Sequence, residues 1–236
     1  LNERTQDGYV FRTDFRLRPD AGATPIAMSM VAAETYYESV GQNWERAAMI
    51  KARIISGDLG SGLAFLDRLK PFVWRKNLDF AAIADIQSIK RQIDSKAGRR
   101  KFQVTGYNVK LGLGGIREIE LFVQTQQLIA GGRDPSLQVP STCGALKALA
   151  KSNRITSQAN EELADAYTFL RNVEHRLQMI GDEQTHTIPK DSEGLRHLSV
   201  FLGYASVEKF CDELTAYIGA VRRHCGELFK KSTSFT

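Results

Sequence analysis

The sequence contains no long run of apolar residues. None of its segments approaches the roughly 20 consecutive apolar residues that a membrane-spanning helix requires, and no signal-like apolar segment stands at its start. We therefore expect no membrane association. Its three cysteines are odd in number and widely spaced, without a C-x-x-C pair. This pattern argues against a disulfide framework and is typical of reduced cytoplasmic proteins.

Histidine is also scarce. The four histidines show no ligand spacing such as H-x-x-x-H, so we expect no zinc site. Basic residues number 32 and acidic residues 27, which leaves a net charge of only +5. This excess fits a protein that handles anionic ligands or acidic partners. Aromatic residues do not alternate with a basic stripe, so nucleic-acid binding is not expected.

The composition is that of a folded protein, with 42% hydrophobic and 25% charged residues in 236. Apolar residues recur at intervals of three and four over most of the chain. In the first half this spacing predicts helices over residues 29–40, 43–55, 63–75, 79–96 and 116–129. In the second half it predicts helices over 143–149, 157–180, 194–202 and 207–229, joined by short polar connections that are typical of an antiparallel bundle.

Two segments alternate instead, and we predict strands there, over 8–17 and 107–111. The expected fold class is therefore α+β, mostly α. We expect two domains, residues 1–112 with both strands and residues 113–236 as the helical bundle. The chain begins at Leu1 rather than at methionine, and we expect it to be a fragment of a longer protein.

The first predicted strand separates charge from apolar residues. Side chains at every second position share a face, so one face carries three arginines around Asp14, and the other carries Tyr9, Phe11, Phe15 and Leu17. The three arginines are Arg12, Arg16 and Arg18. A carboxylate among guanidiniums suggests a phosphate or metal–phosphate site. A solvated strand face with surface ion pairs explains the pattern equally well.

Two other clusters mix carboxylates with cations in the same way. One lies on the second predicted helix, at Glu45, Arg46, Lys51 and Arg53. The other surrounds the glycine turn before residue 116, at Lys110, Arg117, Glu118 and Glu120. Phosphoryl transfer uses such a mixture, because cations neutralise phosphate oxygens while carboxylates hold magnesium. Helix-surface ion pairs are the alternative.

The glycine turn itself can be interpreted in two ways. Gly112, Gly114 and Gly115 precede a helix, where backbone N–H groups can approach an anion at the positive end of the helix. The same G-x-G-G pattern also occurs as simple turn geometry. The sequence leaves both interpretations open.

Several of these runs resemble one known family. They are D-G-Y-V-F-R-T-D-F-R-L-R-P, N-W-E-R-A-A-M-I-K-A-R, K-L-G-L-G-G-I-R-E-I-E-L-F-V-Q, R-D-P-S-L-Q and G-D-E-Q-T-H-T-I-P. They are spread along nearly the whole chain and resemble the glutamine synthetase adenylyltransferase family of bacterial nitrogen control. The resemblance implies nucleotidyltransferase domains related to DNA polymerase beta. It also implies that the chain holds the C-terminal part of one such domain, followed by the helical bundle.

The resemblance also suggests which half of such an enzyme this chain represents. The half that removes AMP from glutamine synthetase by phosphorolysis reads G-G-I-R-E-I-E, as Gly114 to Glu120 does here, whereas the adenylylating half typically reads G-G-I-T-D-I-E. Asp14 matches the third carboxylate of a magnesium site. Its Asp-x-Asp partners lie upstream of this sequence in the family. We therefore expect the fragment alone to be inactive or nearly so, since magnesium needs several oxygen ligands.

The resemblance and the charge pattern together imply roles for the site residues. Asp14 would bind Mg²⁺ in the complete enzyme, with Arg16 and Arg18 beside it in the catalytic site. The residues expected to contact ATP, ADP or inorganic phosphate, or to shape that pocket, are Lys51, Lys110, Gly114, Gly115, Arg117 and Glu120. The implied partners are adenylylated glutamine synthetase and the PII signal protein, in the cytoplasm. The alternative function is a non-catalytic docking module for either partner.

Overall fold

A computed structural model describes residues 5–6, 8, 14–76 and 102–231, with side chains described as far as residue 226. Internal contacts divide the chain into two compact units, Leu1–Arg75 and Lys76–Thr236. The described residues are mostly helical, and their only strand-like features are isolated bridges. No helix among them combines the length and apolarity needed to cross a membrane.

The described part of the first unit contains four helices, α1 (Met30–Ser39), α2 (Asn43–Met49), α3 (Leu59–Arg68) and α4 (Lys70–Val73). Polar side chains fix where two of them begin. The Ser29 hydroxyl accepts a hydrogen bond from the Ala32 N–H at 3.2 Å, and the Asp58 carboxylate accepts from the Gly60 and Ser61 N–H groups. Both are N-caps that satisfy otherwise unpaired donors. The expected helix after Ser29 is confirmed.

The other helices of this unit differ from expectation. The second is shorter than the predicted 43–55. The third was predicted over 63–75, but it begins earlier and is interrupted at Leu69. Pro71 explains the interruption, because proline has no N–H for a continuous helix but fits the first turn of α4. The predicted helix over 79–96 lies outside the described residues.

The core of the first unit forms around α4. The rings of Tyr37 and Phe72 lie 5.2 Å apart between centroids, and Ile50, Leu69 and Val73 are also buried. Arg46 is 1% exposed. Its guanidinium donates from Nε to the Phe72 carbonyl and from Nη2 to the Val73 carbonyl, at 3.0 and 3.1 Å. Arg46 therefore caps the carbonyl end of α4.

The described part of the second unit contains five further helices and a short 3-10 turn, Pro135–Leu137. The helices are α5 (Ile116–Ala130), α6 (Thr142–Lys151), α7 (Ser157–Met179), α8 (Ser192–Phe201) and α9 (Val207–Lys231). All five were predicted, with ends differing by a few residues. The central helix is α7, which contacts the other four. Its buried stripe is Leu163, Ala166, Leu170, Val173 and Leu177.

The apolar spacing that predicted α9 marks its buried face, with Val207 and Cys211 partly buried at its edge. Phe210, Leu214, Ile218, Val221 and Cys225 are all buried, at the three- and four-residue spacing of one helix face. The motif R-D-P-S-L-Q forms the 3-10 turn. Gln127 of α5 is 1% exposed, and its amide donates to the carbonyls of Leu137 and Val139 at 2.7 and 2.8 Å. The R-D-P-S-L-Q motif is therefore explained by its structural role in this turn.

Two extended segments pair in front of α5 and α8. The Val109 N–H donates to the His186 carbonyl, and the Ile188 N–H donates to the Tyr107 carbonyl, both at 2.9 Å. The strand expected over 107–111 is reduced to a single bridge between Asn108 and Thr187. It ends there because the Asn108 side-chain oxygen accepts the N–H groups of the next turn.

The N-terminal strand prediction is wrong in its described part. Residues 9–13 lie outside the described residues, and residues 14–17 form no strand. Phe15 and Leu17, which were expected to face a core, are 49% and 78% exposed. A strand is stable only when it pairs with others, and the described residues provide no partner for 14–17.

The observed division also differs from the expected domain boundary at 112/113. The structure places the division between residues 75 and 76. Tyr107 and Val109 are part of the hydrophobic core of the second unit. The segment before α5 therefore belongs with the helices that follow it, because its apolar side chains are buried among them.

Candidate functional site

A cleft of about 370 Å³ lies in the first unit. Its polar and aromatic lining residues are Arg16, Arg18, Asp20, Tyr36, Gln42 and Trp44. Two guanidiniums beside two aromatic rings could hold an anion next to a planar group. The sequence predicted the arginines but not the aromatic residues, because their side-chain directions depend on how α1 and α2 pack.

Asp14 and Arg16 form a two-pronged ion pair before the cleft. Arg16 donates from Nε to Oδ1 at 2.9 Å and from Nη2 to Oδ2 at 2.5 Å. This hydrogen bond and the charge of Asp14 raise the pKa of Arg16. Both side chains are exposed, by 86% and 50%, so the pair contributes little to stability.

Asp14 was expected to bind magnesium. Among the described residues, no group of three or more acidic, histidine or cysteine side chains could hold a metal ion. One carboxylate that already pairs with a guanidinium does not fit Mg²⁺, which needs several oxygen ligands. The metal-binding role of Asp14 stays a prediction for the complete enzyme.

Arg18 holds the loop after residue 14 together. Its guanidinium donates to the carbonyls of Phe15 and Ala21, at 2.6 and 2.7 Å. The Nε atom is buried without a hydrogen-bond partner. A guanidinium has donors enough to hold a loop and to face an anion as well, so its catalytic role stays a prediction.

The charged cluster predicted on the second helix is structural at Glu45 and Arg46, whereas Lys51 and Arg53 lie beyond the end of α2. Glu45 is 4% exposed and accepts the backbone N–H of Gln42 at 2.7 Å and the Tyr36 hydroxyl at 3.1 Å. Burial and this carboxylate raise the pKa of Tyr36. Glu45 and Arg46 are buried, and Arg46 caps α4. Lys51 and Arg53 are the exposed members of this cluster. The phosphate role predicted for Lys51 is untested by this geometry.

The glycine turn places its backbone N–H groups against partners of its own. The Gly114 N–H donates to the Glu118 carboxylate at 2.7 Å, and the Gly115 N–H donates to the Gly112 carbonyl at 2.9 Å. Gly114 has φ +86°, and a Cβ there would lie 2.7 Å from Ile218 Cγ2. Close packing therefore accounts for the glycines, and their contact with phosphate stays a prediction.

Arg117 and Glu120 lie one turn apart at the start of α5. Their side chains approach to 3.6 Å between Nη1 and Oε2. Glu120 also accepts a hydrogen bond from the Tyr167 hydroxyl of α7 at 3.3 Å. Burial is the main cause of the raised pKa of Tyr167. The predicted pocket-wall pair is thus brought together, and it is joined to a polar stripe on α7.

Among the described residues of the second unit, a cluster of charged groups surrounds Glu174 of α7. This carboxylate is 1% exposed and has three basic neighbours. Arg171 Nη1 lies 2.7 Å from Oε2, while His186 Nδ1 and Lys110 Nζ lie 3.0 and 3.6 Å from Oε1. The three neighbours come from α7 and from the two paired segments. Of these residues, only Lys110 was predicted as a site residue.

His186 has two mutually exclusive contacts at one ring nitrogen. Its Nδ1 lies 3.4 Å from the Gln178 amide nitrogen and 3.0 Å from Glu174 Oε1. It can accept from the first or donate to the second, but not both with one proton position. Burial lowers the pKa of His186, and Lys110 lowers it further, while Glu174 acts in the opposite direction.

A sequence signal for this cluster did exist. Tyr167, Arg171, Glu174 and Gln178 follow one another at spacings of four, three and four residues, which is one face of a helix. Each directly follows a residue of the buried stripe of α7. A polar stripe beside a fully buried one indicates side chains at the edge of a core. What the sequence could not show is that Lys110 and His186 meet it there.

Comparison with known proteins places the chain in a family. Residues 87–229 match the family described as GlnD PII-uridylyltransferase. This match covers more than half of the chain, so the chain belongs to that nucleotidyltransferase-related family. Residues 1–68 match a second family, described as glutamate-ammonia ligase adenylyltransferase. Each match lies on one of the two structural units.

Individual relatives extend over both units. The chain is 56% identical, over 98% of its length, to the bifunctional glutamine synthetase adenylyltransferase/adenylyl-removing enzyme of Rhodopseudomonas palustris strain BisB5 and to that of Mesorhizobium japonicum. It is 55% identical over 100% of its length to that of Rhizobium meliloti. The chain spans 23% to 24% of the length of these relatives. The resemblance found in the motifs is confirmed at this level.

Proposed function

We propose that this chain is part of an enzyme that regulates glutamine synthetase by moving an AMP group, and that it belongs to the adenylyl-removing half. The observation that carries the proposal is the 55–56% identity to bifunctional adenylyltransferase/adenylyl-removing enzymes along nearly the whole chain. The G-G-I-R-E-I-E run from Gly114 to Glu120 supports the adenylyl-removing half. Its arginine is exposed at the start of α5, where it is able to meet a ligand.

In the proposed reaction, an oxygen of inorganic phosphate attacks the phosphorus of an AMP group attached to a tyrosine of glutamine synthetase. The bond from that phosphorus to the tyrosine oxygen breaks, ADP leaves, and the tyrosine oxygen takes up a proton. No activated protein nucleophile is needed, since the attacking group is phosphate itself. Positioning and neutralisation of charge supply most of the catalysis. The proposed phosphate contacts of the first unit are Arg16, Arg18 and Lys51, and that of the second unit is Lys110. Mg²⁺ binding at Asp14 is proposed only for the complete enzyme, where upstream carboxylates would complete the ligand set.

The test is ADP release from adenylylated glutamine synthetase in the presence of phosphate and magnesium. We would compare this chain with a version extended upstream to include the expected Asp-x-Asp strand. Activity only in the extended version would support both the adenylyl-removing assignment and the incompleteness of this fragment. Equal activity in both would refute the incompleteness. A folded but inactive extended version would refute the assignment.

Two substitutions in the extended version sharpen this test. Asp14→Asn should abolish ADP release while leaving binding to glutamine synthetase intact, if Asp14 is a metal ligand. Asp67→Asn is the matched control, because Asp67 forms an exposed ion pair with Lys70 outside the proposed site. Full activity of Asp14→Asn would remove Asp14 from the mechanism.

A docking function is the second candidate, and one observation favours it. The second unit matches a family described by its action on PII, so this unit could contact the PII signal protein or glutamine synthetase without taking part in chemistry. Light scattering or calorimetry of the 236-residue chain with each protein would test this. Saturable binding by the chain, together with full ADP release by Asp14→Asn in the extended version, would favour docking over catalysis.

A further inference from the structure

We propose that Lys110, Arg171 and His186 form a binding site for a phosphate group, and that Glu174 is the buried counter-charge that positions them. The inference deepens the proposed function and rests on it for the identity of the anion. Inorganic phosphate and the phosphates of ADP share the chemistry that this site would recognise. The charge of the cluster, its construction and its exposure each support the proposal.

The cluster has more positive than negative charge. One carboxylate, Glu174, faces one guanidinium, one ammonium and one imidazole. Arg171 and Lys110 are both charged at neutral pH, so a net positive charge remains even when His186 is neutral. A single carboxylate that only locked the helix in place would need one cationic partner. The cluster therefore carries more positive charge than Glu174 neutralises, and a bound phosphate group would balance it.

The cluster is also assembled from three separate elements. Arg171 lies on α7, Lys110 lies in the turn before α5, and His186 lies in the extended segment before α8. The backbone pairing of Val109 with His186 fixes the last two relative to each other. Groups held by different rigid elements keep their geometry when a ligand arrives, which is what an anion site requires.

The carboxylate of the cluster is buried, whereas its basic groups are partly exposed. Glu174 has 2% of its side chain exposed, whereas Arg171 and Lys110 each have 36% and His186 has 17%. An incoming anion would therefore meet the cations first, with the carboxylate behind them. Glu174 Oε1 forms no hydrogen bond with the described residues, so the carboxylate acts on Lys110 and His186 through its charge. The outer donors of Arg171 and Lys110 stay available because a guanidinium carries five N–H groups and an ammonium three.

His186 provides a probe for the site. Its pKa is lowered by burial and then by Lys110, so it responds to the charges around it. The charged groups facing it are Lys110, Arg171 and Glu174. An anion bound beside Lys110 and Arg171 would offset their effect and change the ring environment. His197 on α8 is exposed and serves as an internal control in the same spectrum.

The experiment is an NMR titration of the histidine ring signals of the 236-residue chain at constant pH and ionic strength. Inorganic phosphate is added in one arm and ADP in the other. We expect a saturable shift of His186 and none of His197. Saturation by inorganic phosphate would assign the site to the attacking group, and saturation by ADP alone would assign it to the nucleotide. No saturation in either arm would overturn the proposal.

Variants show whether the binding uses this cluster. Arg171→Gln should weaken the affinity about tenfold, as expected for loss of one charge-assisted hydrogen bond. Lys110→Gln is the second variant, because its longer contact makes it less important for folding. Lys147→Gln, at an exposed position of α6, should titrate like the parent chain. Equal affinities in all folded variants would show an adventitious ion only and overturn the proposal.

The same variants distinguish this inference from the proposed function. If the extended protein releases no ADP but phosphate binding is lost in Arg171→Gln, the binding site stands and the proposed function fails. If ADP release occurs while His186 shows no saturable response, the proposed function stands and this inference fails. Both results come from separate measurements, so neither depends on the other.

Discussion

Arg171 and Glu174 form an ion pair within α7, with 2.7 Å between Nη1 and Oε2, although the Glu174 side chain is only 2% exposed. A carboxylate so deeply buried is tolerated because basic groups surround it. The helix α7 contacts every other described helix of its unit. Through Glu174, it also lies close to Lys110 before α5 and to His186 before α8. Charge at the edge of the core thus holds these elements in register.

We expect Glu174→Gln to lower the free energy of unfolding by about 2 kcal/mol. Removal of one partner from a fully buried ion pair costs about 3 to 5 kcal/mol, and the partial exposure of Arg171 and Lys110 reduces that. Urea unfolding followed by far-UV circular dichroism measures the change. Glu183→Gln, at an exposed loop position, should leave the midpoint unchanged. Equal midpoints for both variants would show that the ion pair is dispensable.

Arg46→Lys should destabilise the first unit by about 3 kcal/mol, because a lysine cannot reproduce the fork that serves the Phe72 and Val73 carbonyls. The two tryptophans of the chain, Trp44 and Trp74, both lie in this unit. Their fluorescence therefore reports its unfolding separately from that of the second unit.

Arg53→Lys is the control for that experiment, since Arg53 is exposed just after α2. It should unfold at the denaturant concentration of the parent chain. A fluorescence transition for Arg46→Lys that coincides with the parent would contradict the capping role of Arg46.

The helices could be predicted from the sequence where an apolar stripe was uninterrupted. The buried positions of α9 follow from spacing alone, since residues three and four apart share a face. The strands could not be predicted in the same way. The alternation at 14–17 shows only which side chains would share a face if this segment paired as a strand. The second predicted strand ends at Asn108, because its side-chain oxygen accepts the N–H groups of the following turn.

The candidate site was predicted only in part for a related reason. The sequence pointed to Lys110, Arg117 and Glu120 because they are charged and flank the glycine turn. Glu174 and His186 lie far from that turn in sequence, and they meet Lys110 only because of the pairing between residues 107–109 and 186–188. Contacts of this kind depend on tertiary packing, which a local pattern does not encode.

The stability of the second unit should fall as the pH drops from about 4.5 toward 2. Hydrogen bonds from His224, Gln158 and Arg223 lower the pKa of Glu162 to about 2 from its ordinary value of 4.5. The folded state therefore binds fewer protons than the unfolded state in this range, and stability is present above the unfolded pKa and lost below it. Melting temperatures measured by circular dichroism across this range test the prediction.

The control for the acid effect is Glu161, which precedes Glu162 in α7. Glu162→Gln should remove part of the pH dependence, whereas Glu161→Gln, at an exposed position, should retain all of it. If both variants follow the pH profile of the parent chain, the network around Glu162 does not contribute to acid stability.

Two glycine substitutions should act in opposite directions. Gly114→Ala should destabilise the second unit by about 2 kcal/mol or more. Its φ of +86° disfavours any Cβ, and that atom would lie 2.7 Å from Ile218 Cγ2 and 2.8 Å from the Ile218 carbonyl oxygen. Gly219 is the next residue after Ile218 in α9, and a Cβ there would meet nothing within 4 Å. Gly219→Ala should therefore stabilise the helix by about 1 kcal/mol.

Urea unfolding of both glycine variants separates packing from ligand binding at the turn. If Gly114 is a glycine because α9 approaches it, Gly114→Ala loses stability whether or not phosphate is present. If it is a glycine because phosphate must approach its N–H, the variant keeps the stability of the parent chain without phosphate and loses only the stabilisation that phosphate adds. We expect the first result, because the Gly114 N–H already donates to Glu118.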